Sequence, residues 1–289
     1  MSNVKPFSLR IFVADGDPDG LRVVERSNWI GKALMFPRAV LPKVKLRDEL
    51  GQTGVYLLLG PRDDGESEMI YIGEGDPVRP RLESHYAQKD FWNRAVCFTA
   101  GGNGQLNKAH VQFLEAALVQ LAKTAKRLPL DNANQPSEPS LSEADRADMQ
   151  VFLENMLGML PVLGIHAFEQ AAPVAAVAAK CLLTCRGKGV SAHGYEATQG
   201  FVVQAGSLAV GATVPSMQQH VRGMFDIREA LIENGVLQRD GDHFCFTQDY
   251  VFSSPSTAAA VVLGRSANGR VEWKDDKGRA LKELQALEV

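Results

Sequence analysis

An α+β fold is predicted for this chain of 289 residues, and three observations predict it. Short β-rich runs bounded by glycine alternate with segments of helical periodicity. The runs "GVYLLLG" and "MIYIG" are parted by the polar loop "PRDDGESE", a combination that reads as an antiparallel pair. The texture then changes near residue 176, where a second mixture of strand and helix signals begins. The expected architecture is a small antiparallel three-stranded sheet flanked by helices, followed by a second α+β domain.

Residues 1–50 contain "LRIFVA" and "LRVVE" around the turn "DGDPDG", which predicts an N-terminal β-hairpin extension. "ALMFPRAVL" leads from it inward. Residues 51–135 form the expected core. After its first two strands, a helix runs from about Pro80 to His85, with Pro80 suited to a first helical turn. "RAVCFTA" is the third strand, closed by "GGNG". Next, "LNKAHVQFLEAALVQLAKTAKR" sets Val111, Leu114, Leu118, Leu121 and Ala125 at helical spacing, with basic residues in its last turn.

Residues 136–175 read as a helical connector packing on that core. Its helix begins at Ser142, an N-cap with Asp145 three residues later. Met149, Phe152, Leu153, Met156, Leu157 and Leu160 form the apolar stripe, and Pro161 stops it. One Arg against six Asp/Glu over residues 136–170 turns this face away from a phosphate backbone. In residues 176–289, "GFVVQAGSLAV" reads as strands, "MQQHVRGMFDIREALIENGVL" as one or two helices, and "HFCFTQDYVFSS" as a hairpin arm. "PSTAAAVVLG" is a helix, and "GRVEWKDDKGRAL" a strand and turn.

A hydrophobic fraction of 45% and a net charge of −3 describe an ordinary globular protein without a broadly basic surface. A nucleic-acid function therefore needs a local groove. Cys97, Cys181, Cys185 and Cys245 form no CxxC pair and read as reduced thiols of a cytoplasmic protein. The N-terminus lacks the pattern of a signal peptide. The apolar stretch around "AAPVAAVAAK" falls short of the roughly 20 residues a membrane span needs. "GGNG" lacks dinucleotide-loop spacing, "CRGKGV" reads as a solvated turn rather than a phosphate loop, and HExxH and GxSxG are missing.

What remains is one cluster. Tyr56 in "GVY" and Tyr71 in "YIG" lie on neighbouring antiparallel strands that bring both phenols to one sheet face. Arg81 and His85, at i and i+4, share a helix face. Glu115 sits in "QFLEAAL" among apolar neighbours, and Asn132 follows that helix. Arg79 competes with Arg81, and Asn134 with Asn132. The order of these residues resembles that of the GIY-YIG nuclease family. The phosphodiester hydrolysis this likeness implies requires an activated water, charge stabilisation on the phosphate and a proton for the leaving oxygen. Arg81 offers a planar fork matched to phosphate oxygens, and a single carboxylate such as Glu115 suits Mg²⁺.

The resemblance spans about residues 52–135. The fourteen residues between the two tripeptides exceed the family's usual spacing and fit a longer hairpin loop. The resemblance implies a GIY-YIG-like fold for residues 51–135 and a metal-dependent endonuclease acting on DNA with Mg²⁺ or Mn²⁺. Tyr56 would be the general base or water-orienting group, and Tyr71 and His85 would position the phosphate and assist proton transfer. Glu115 would hold the metal, with Asn132 in the last family role. Arg81 beside Tyr56 would lower the phenol's pKa. The alternative is a non-catalytic nucleic-acid-binding or regulatory protein that retains a nuclease-like fold, and no membrane partner is expected.

The C-terminal stretches "GFVVQAGS", "YVFSSPSTAAAVVLGRSANG" and "VEWKDDKG" resemble an uncharacterised domain that accompanies such nucleases. "SPSTAAAVVLG" with the later Asn-Gly and Trp is also similar to modules of restriction systems that read DNA. That likeness implies a targeting role, in which the helix start at Ser254-Pro255-Ser256 meets a phosphate. Arg265 and Arg270 lie nearby, and Trp273 would be a core anchor or a stacking platform.

Overall fold

The computed structural model describes residues 6–62, 68–101, 106–169 and 182–287. The chain divides into two units, Met1–Glu169 and Gln170–Val289. "GGNG" beyond Gly101, Cys181 and "AAPVAAVAAK" lie outside the described residues.

The first unit opens with β1 (Leu9–Val13), β2 (Arg22–Arg26) and β3 (Gly31–Pro37), then the short α1 (Leu41–Val44). β4 (Gly54–Pro61) and β5 (Glu68–Gly75) precede α2 (Val78–Gln88), β6 (Arg94–Ala100), α3 (Lys108–Ala125) and α4 (Glu143–Met159). All the strands join one antiparallel sheet in the order β1-β2-β3-β6-β4-β5.

The sheet thus has six strands where three were expected, and residues 1–50 are half of it rather than an appended hairpin. The missed strand is β3, paired with β6 from Gly31↔Ala100 to Pro37↔Arg94. Its Ala33 and Met35 enter one apolar cluster while Leu34 and Phe36 enter another. A strand buried on both faces lacks the polar alternation by which strands are recognised.

Those two clusters are the two layers of the unit. On one face, Val55, Leu57, Leu59, Ile70 and Ile72 pack with Val111, Leu114 and Leu118 of α3 and Met149, Phe152 and Met156 of α4. On the other, Tyr56 and Leu58 pack with Val78 and Leu82 of α2 and with Trp92. Asn107 caps α3 by accepting from the His110 backbone, while the His110 ring reaches back to the cap. Ser142 caps α4 through the Asp145 N–H. α2 begins at Val78, two residues before Pro80, so that Pro80 still lies in the first turn.

The second unit starts with β7 (Leu183–Gly187) and β8 (Val190–Ala197). Lys188 and Gly189 between them have φ of 48° and 81°, the two-residue turn that matches strand twist. "CRGKGV" is this hairpin. β9 (Gly200–Val203), β10 (Leu208–Val210), α5 (Pro215–His220), α6 (Arg222–Glu233), β11 (Leu237–Asp240), β12 (His243–Phe246) and β13 (Tyr250–Phe252) follow. The chain then forms α7 (Pro255–Leu263), α8 (Gly269–Glu272) and α9 (Leu281–Leu287). Two sheets result, β10-β12-β11 and β13-β9-β8-β7.

"HFCFTQDYVFSS" is accordingly not one hairpin arm, because β12 and β13 pair in different sheets. "GRVEWKDDKGRAL" opens on the helical turn α8 in place of the expected strand, with Asn268 capping the Arg270 N–H. Gly269 lies so close to α7 that a Cβ there would sit 2.1 Å from the Pro255 carbonyl. Trp273 is wholly buried against Phe201, ring centroids 4.5 Å apart, and its Nε1 donates to the Pro255 carbonyl at 3.0 Å. It is a core anchor. Arg265 pairs with Glu272 and Arg270 with Gln285, so both arginines expected near a phosphate have partners inside the fold.

Because Trp273 fills the core, Trp273→Ala should cost about 3–5 kcal/mol of stability. Urea unfolding of the full chain checks this; an unchanged midpoint would return Trp273 to the surface.

Candidate functional site

The register of the β4–β5 pair sets Tyr56 opposite Gly73 and Leu58 opposite Tyr71. Two residues apart in register, the tyrosines share the α2 face, with ring centroids 6.3 Å apart. The Tyr56 phenol lies across Gly73, where a Cβ would come within 2.4 Å of its hydroxyl. Glycine at 73 is therefore a condition for that rotamer.

Arg81 and His85 project from successive turns of α2. The Tyr56 hydroxyl is 2.8 Å from His85 Nε2, and the Arg81 guanidinium is close enough for its charge to act on the phenol. The positive charge of Arg81 favours the arrangement in which the oxygen lone pairs face the guanidinium and the hydroxyl proton points at Nε2. That assigns the ring proton of neutral His85 to Nδ1, a buried atom with no protein partner. The edge of the His85 ring also meets Tyr71, centroids 4.8 Å apart.

Lys89, one helical turn further, carries its ammonium 4.7 Å above the Tyr71 ring and pairs with Asp131. Sequence reasoning missed it, although the spacing from Arg81 through His85 to Lys89 was a signal. Arg79 instead donates to the Arg47 carbonyl at 3.2 Å, away from Tyr56.

The outer edge of β5 accounts for the remaining groups. Ile70 N–H donates to the Pro129 carbonyl, and Asp131 N–H to the Ile70 carbonyl. Asn132 accepts from Ile72 N–H at 3.0 Å and donates to the Ile72 carbonyl at 2.7 Å. Its amide imitates a neighbouring strand, so Asn132 holds the strand that carries Tyr71, while Asn134 is exposed. The next outward N–H along the edge is that of Glu74, and the Glu115 carboxylate lies near this residue.

Glu74 was also missed. Its place two residues after Ile72 puts its side chain on the α3 face, where Lys108 Nζ lies 2.5 Å from Oε1. Its Oε2 is buried with no protein partner. Burial, and next the charge of Glu74, push the Glu115 carboxyl up to about 7, against the pull of Arg81 and Lys108.

Burial governs the other site groups as well. The Tyr56 phenol is driven above its ordinary range by burial first and Tyr71 second. Arg81 lowers it as expected but does not prevail. Burial, then Lys89 and Arg81, bring His85 down to about 4, so its ring is neutral near pH 7 and Nε2 can accept a proton. Among the described residues, no group of three or more His, Cys, Asp and Glu side chains is placed to hold a metal ion. The pair Glu74 and Glu115 still suits a hydrated Mg²⁺, which takes one or two carboxylates, and the unpartnered Glu74 oxygen fits that role.

Gly73→Ala should displace the Tyr56 ring and cost about 1–3 kcal/mol. Thermal unfolding checks the loss, and Tyr56→Phe in the same background should recover part of it by removing the clashing hydroxyl.

The His85 shift carries a pH signature. Its folded pKa lies below the unfolded value of 6.5, so between about 4 and 6.5 the unfolded chain binds the additional proton. Stability from this group is complete above that window and falls as pH drops through it. His85→Gln should flatten that part of the melting temperature against pH; an unaltered slope would refute the assignment.

No helix among the described residues is long and apolar enough to cross a membrane. No curated protein and no solved structure matches the chain. A family model described as a domain of unknown function (DUF4357) matches residues 183–285, nearly the whole described part of the second unit.

Proposed function

We propose that the first unit is a GIY-YIG-type endonuclease that hydrolyses phosphodiester bonds in DNA with Mg²⁺ or Mn²⁺. The observation that carries this reading is the Tyr56 hydroxyl held between Arg81 and His85, with Glu115 at the same strand edge. Such a hydroxyl is a proton relay. Because burial forbids a free phenolate, Tyr56 takes a proton from the attacking water only as its own passes to His85 Nε2. Arg81 is exposed, so the face of its fork not used by Tyr56 can meet phosphate oxygens. Tyr71, braced by Lys89, fixes the far side of His85. Water attacks phosphorus, the P–O bond to the leaving group breaks, the leaving oxygen takes a proton from solvent, and the proton taken up by His85 returns to solvent. A divalent cation held by Glu115 would supply Lewis-acid stabilisation of the phosphate charge. The second unit would target the enzyme to its DNA.

The nine basic and ten acidic residues of 54–135 favour a second reading, a nucleic-acid-binding or regulatory protein that does not cut. Nicking of supercoiled plasmid with Mg²⁺ or Mn²⁺, and EDTA as control, separates the two. Cleavage is expected in the wild type. Glu115→Gln should abolish it with the fold intact. Arg81→Lys, which keeps charge but loses the fork, should lower kcat by roughly 100-fold or more with little change in DNA affinity. Binding without nicking under both metals would establish the second reading.

A further inference from the structure

We infer that Glu74 is a second carboxylate for the cation that Glu115 holds, and that Lys108 is the counter-charge which the cation displaces. This rests on the reading of Glu115 as a cation ligand.

The two carboxylates are brought together by the packing of α3 on β5. Glu74 on the α3 face of β5 is bonded to Lys108, two turns before Glu115 on the same helix, and this sets the Glu115 carboxylate close to that of Glu74. β5 is an edge strand, and its neighbouring outward groups at Ile70 and Ile72 are already bonded. Glu74 is thus the first residue past the covered part of that edge.

The Glu74 carboxylate is only half satisfied. Oε1 meets Lys108, while Oε2 is buried without a partner, a state that costs free energy until a donor or a cation arrives. Lys108 is a weak occupant. Its side chain is about half exposed, at 52%, whereas that of Glu74 is 14% exposed. A lysine on a flexible stem can swing into solvent, leaving both Glu74 oxygens to a smaller and more highly charged ion. Two carboxylates with retained waters meet the preference of Mg²⁺. A purely structural role for the Glu74–Lys108 pair, fastening the start of α3 to β5, makes the opposite prediction for Lys108.

The test measures Mn²⁺ binding to the full chain by electron paramagnetic resonance of the free ion, with Mg²⁺ competition. Glu115→Gln should lose binding. Glu74→Gln, nearly isosteric, should weaken it about 10-fold or more, the scale seen when a supporting group at a metal site is removed. Lys108→Met should tighten it several-fold by removing a competitor. If Glu74→Gln binds as wild type while Glu115→Gln does not, the inference fails and the Glu115 reading survives. If Glu115→Gln binds as wild type, the Glu115 reading fails and this inference with it. Should Glu74→Gln not fold, Lys108→Met decides alone: unchanged or weaker binding overturns the proposal.

Discussion

The outer edge of β5 is the constraint from which the candidate site follows. An edge strand presents a row of unpaired N–H and C=O groups that must be covered or hydrated. Here the chain after α3 returns along that edge, and Pro129, Asp131 and the Asn132 amide take the groups of Ile70 and Ile72. The cover stops one step short of Glu74, beside which the Glu115 carboxylate of α3 lies. Residues from both faces of the sheet reach this point, Tyr56, Tyr71, Arg81 and His85 from the α2 side and Glu74 and Glu115 from the α3 side. Gly73 is the place where they approach, since only a residue without Cβ leaves room for the Tyr56 hydroxyl.

Burial, more than any single charge, sets the chemistry of the groups there. It raises Tyr56 and Glu115 and lowers His85, so each neutral form is favoured. Arg81 and Lys89 act on the His85 ring, while Arg81 and Lys108 act on the Glu115 carboxylate. The first pair helps to keep His85 neutral, which preserves Nε2 as an acceptor for the Tyr56 proton. A site composed of neutral hydrogen-bonded groups between fixed charges responds to a ligand's charge more strongly than a solvated one, because the surrounding dielectric is lower.

Much of this was legible because it rests on parity and helical spacing. The alternation of a strand puts Tyr56 and Tyr71 on one face as soon as the pair is read as a hairpin, and i,i+4 spacing aligns Arg81 with His85. Asn132 was legible as a position but not as a role, since a side chain that completes a backbone ladder looks the same in sequence as one that faces a ligand. Glu74 was hidden for a related reason. Its significance depends on where the cover of an edge strand stops, and that is settled by residues sixty positions away. β3 was missed because burial on both faces erases the alternation, and α8 because a four-residue turn with valine and glutamate has no period to detect.

The second unit follows a different logic, and it bears on how the unit could meet a ligand. α7 is apolar all round, with Ala258 to Leu263 fully enclosed, so the unit is wrapped about a central helix rather than layered on one face. Such a helix needs its polar ends finished internally. Ser254 bonds the Thr257 N–H, the Trp273 indole bonds the Pro255 carbonyl, and buried Arg228 donates to the carbonyls of Val261 and Val210. Gly269 lies on the same end, and its N–H donates to Ser256. The start of α7 is thus finished from within the unit, with Ser254, Pro255 and Ser256 half-buried. A targeting role for this unit must draw on groups that the core does not employ. Arg186 and Lys188 at the β7–β8 hairpin are exposed, and the left-handed backbone of Lys188 and Gly189 closes that turn.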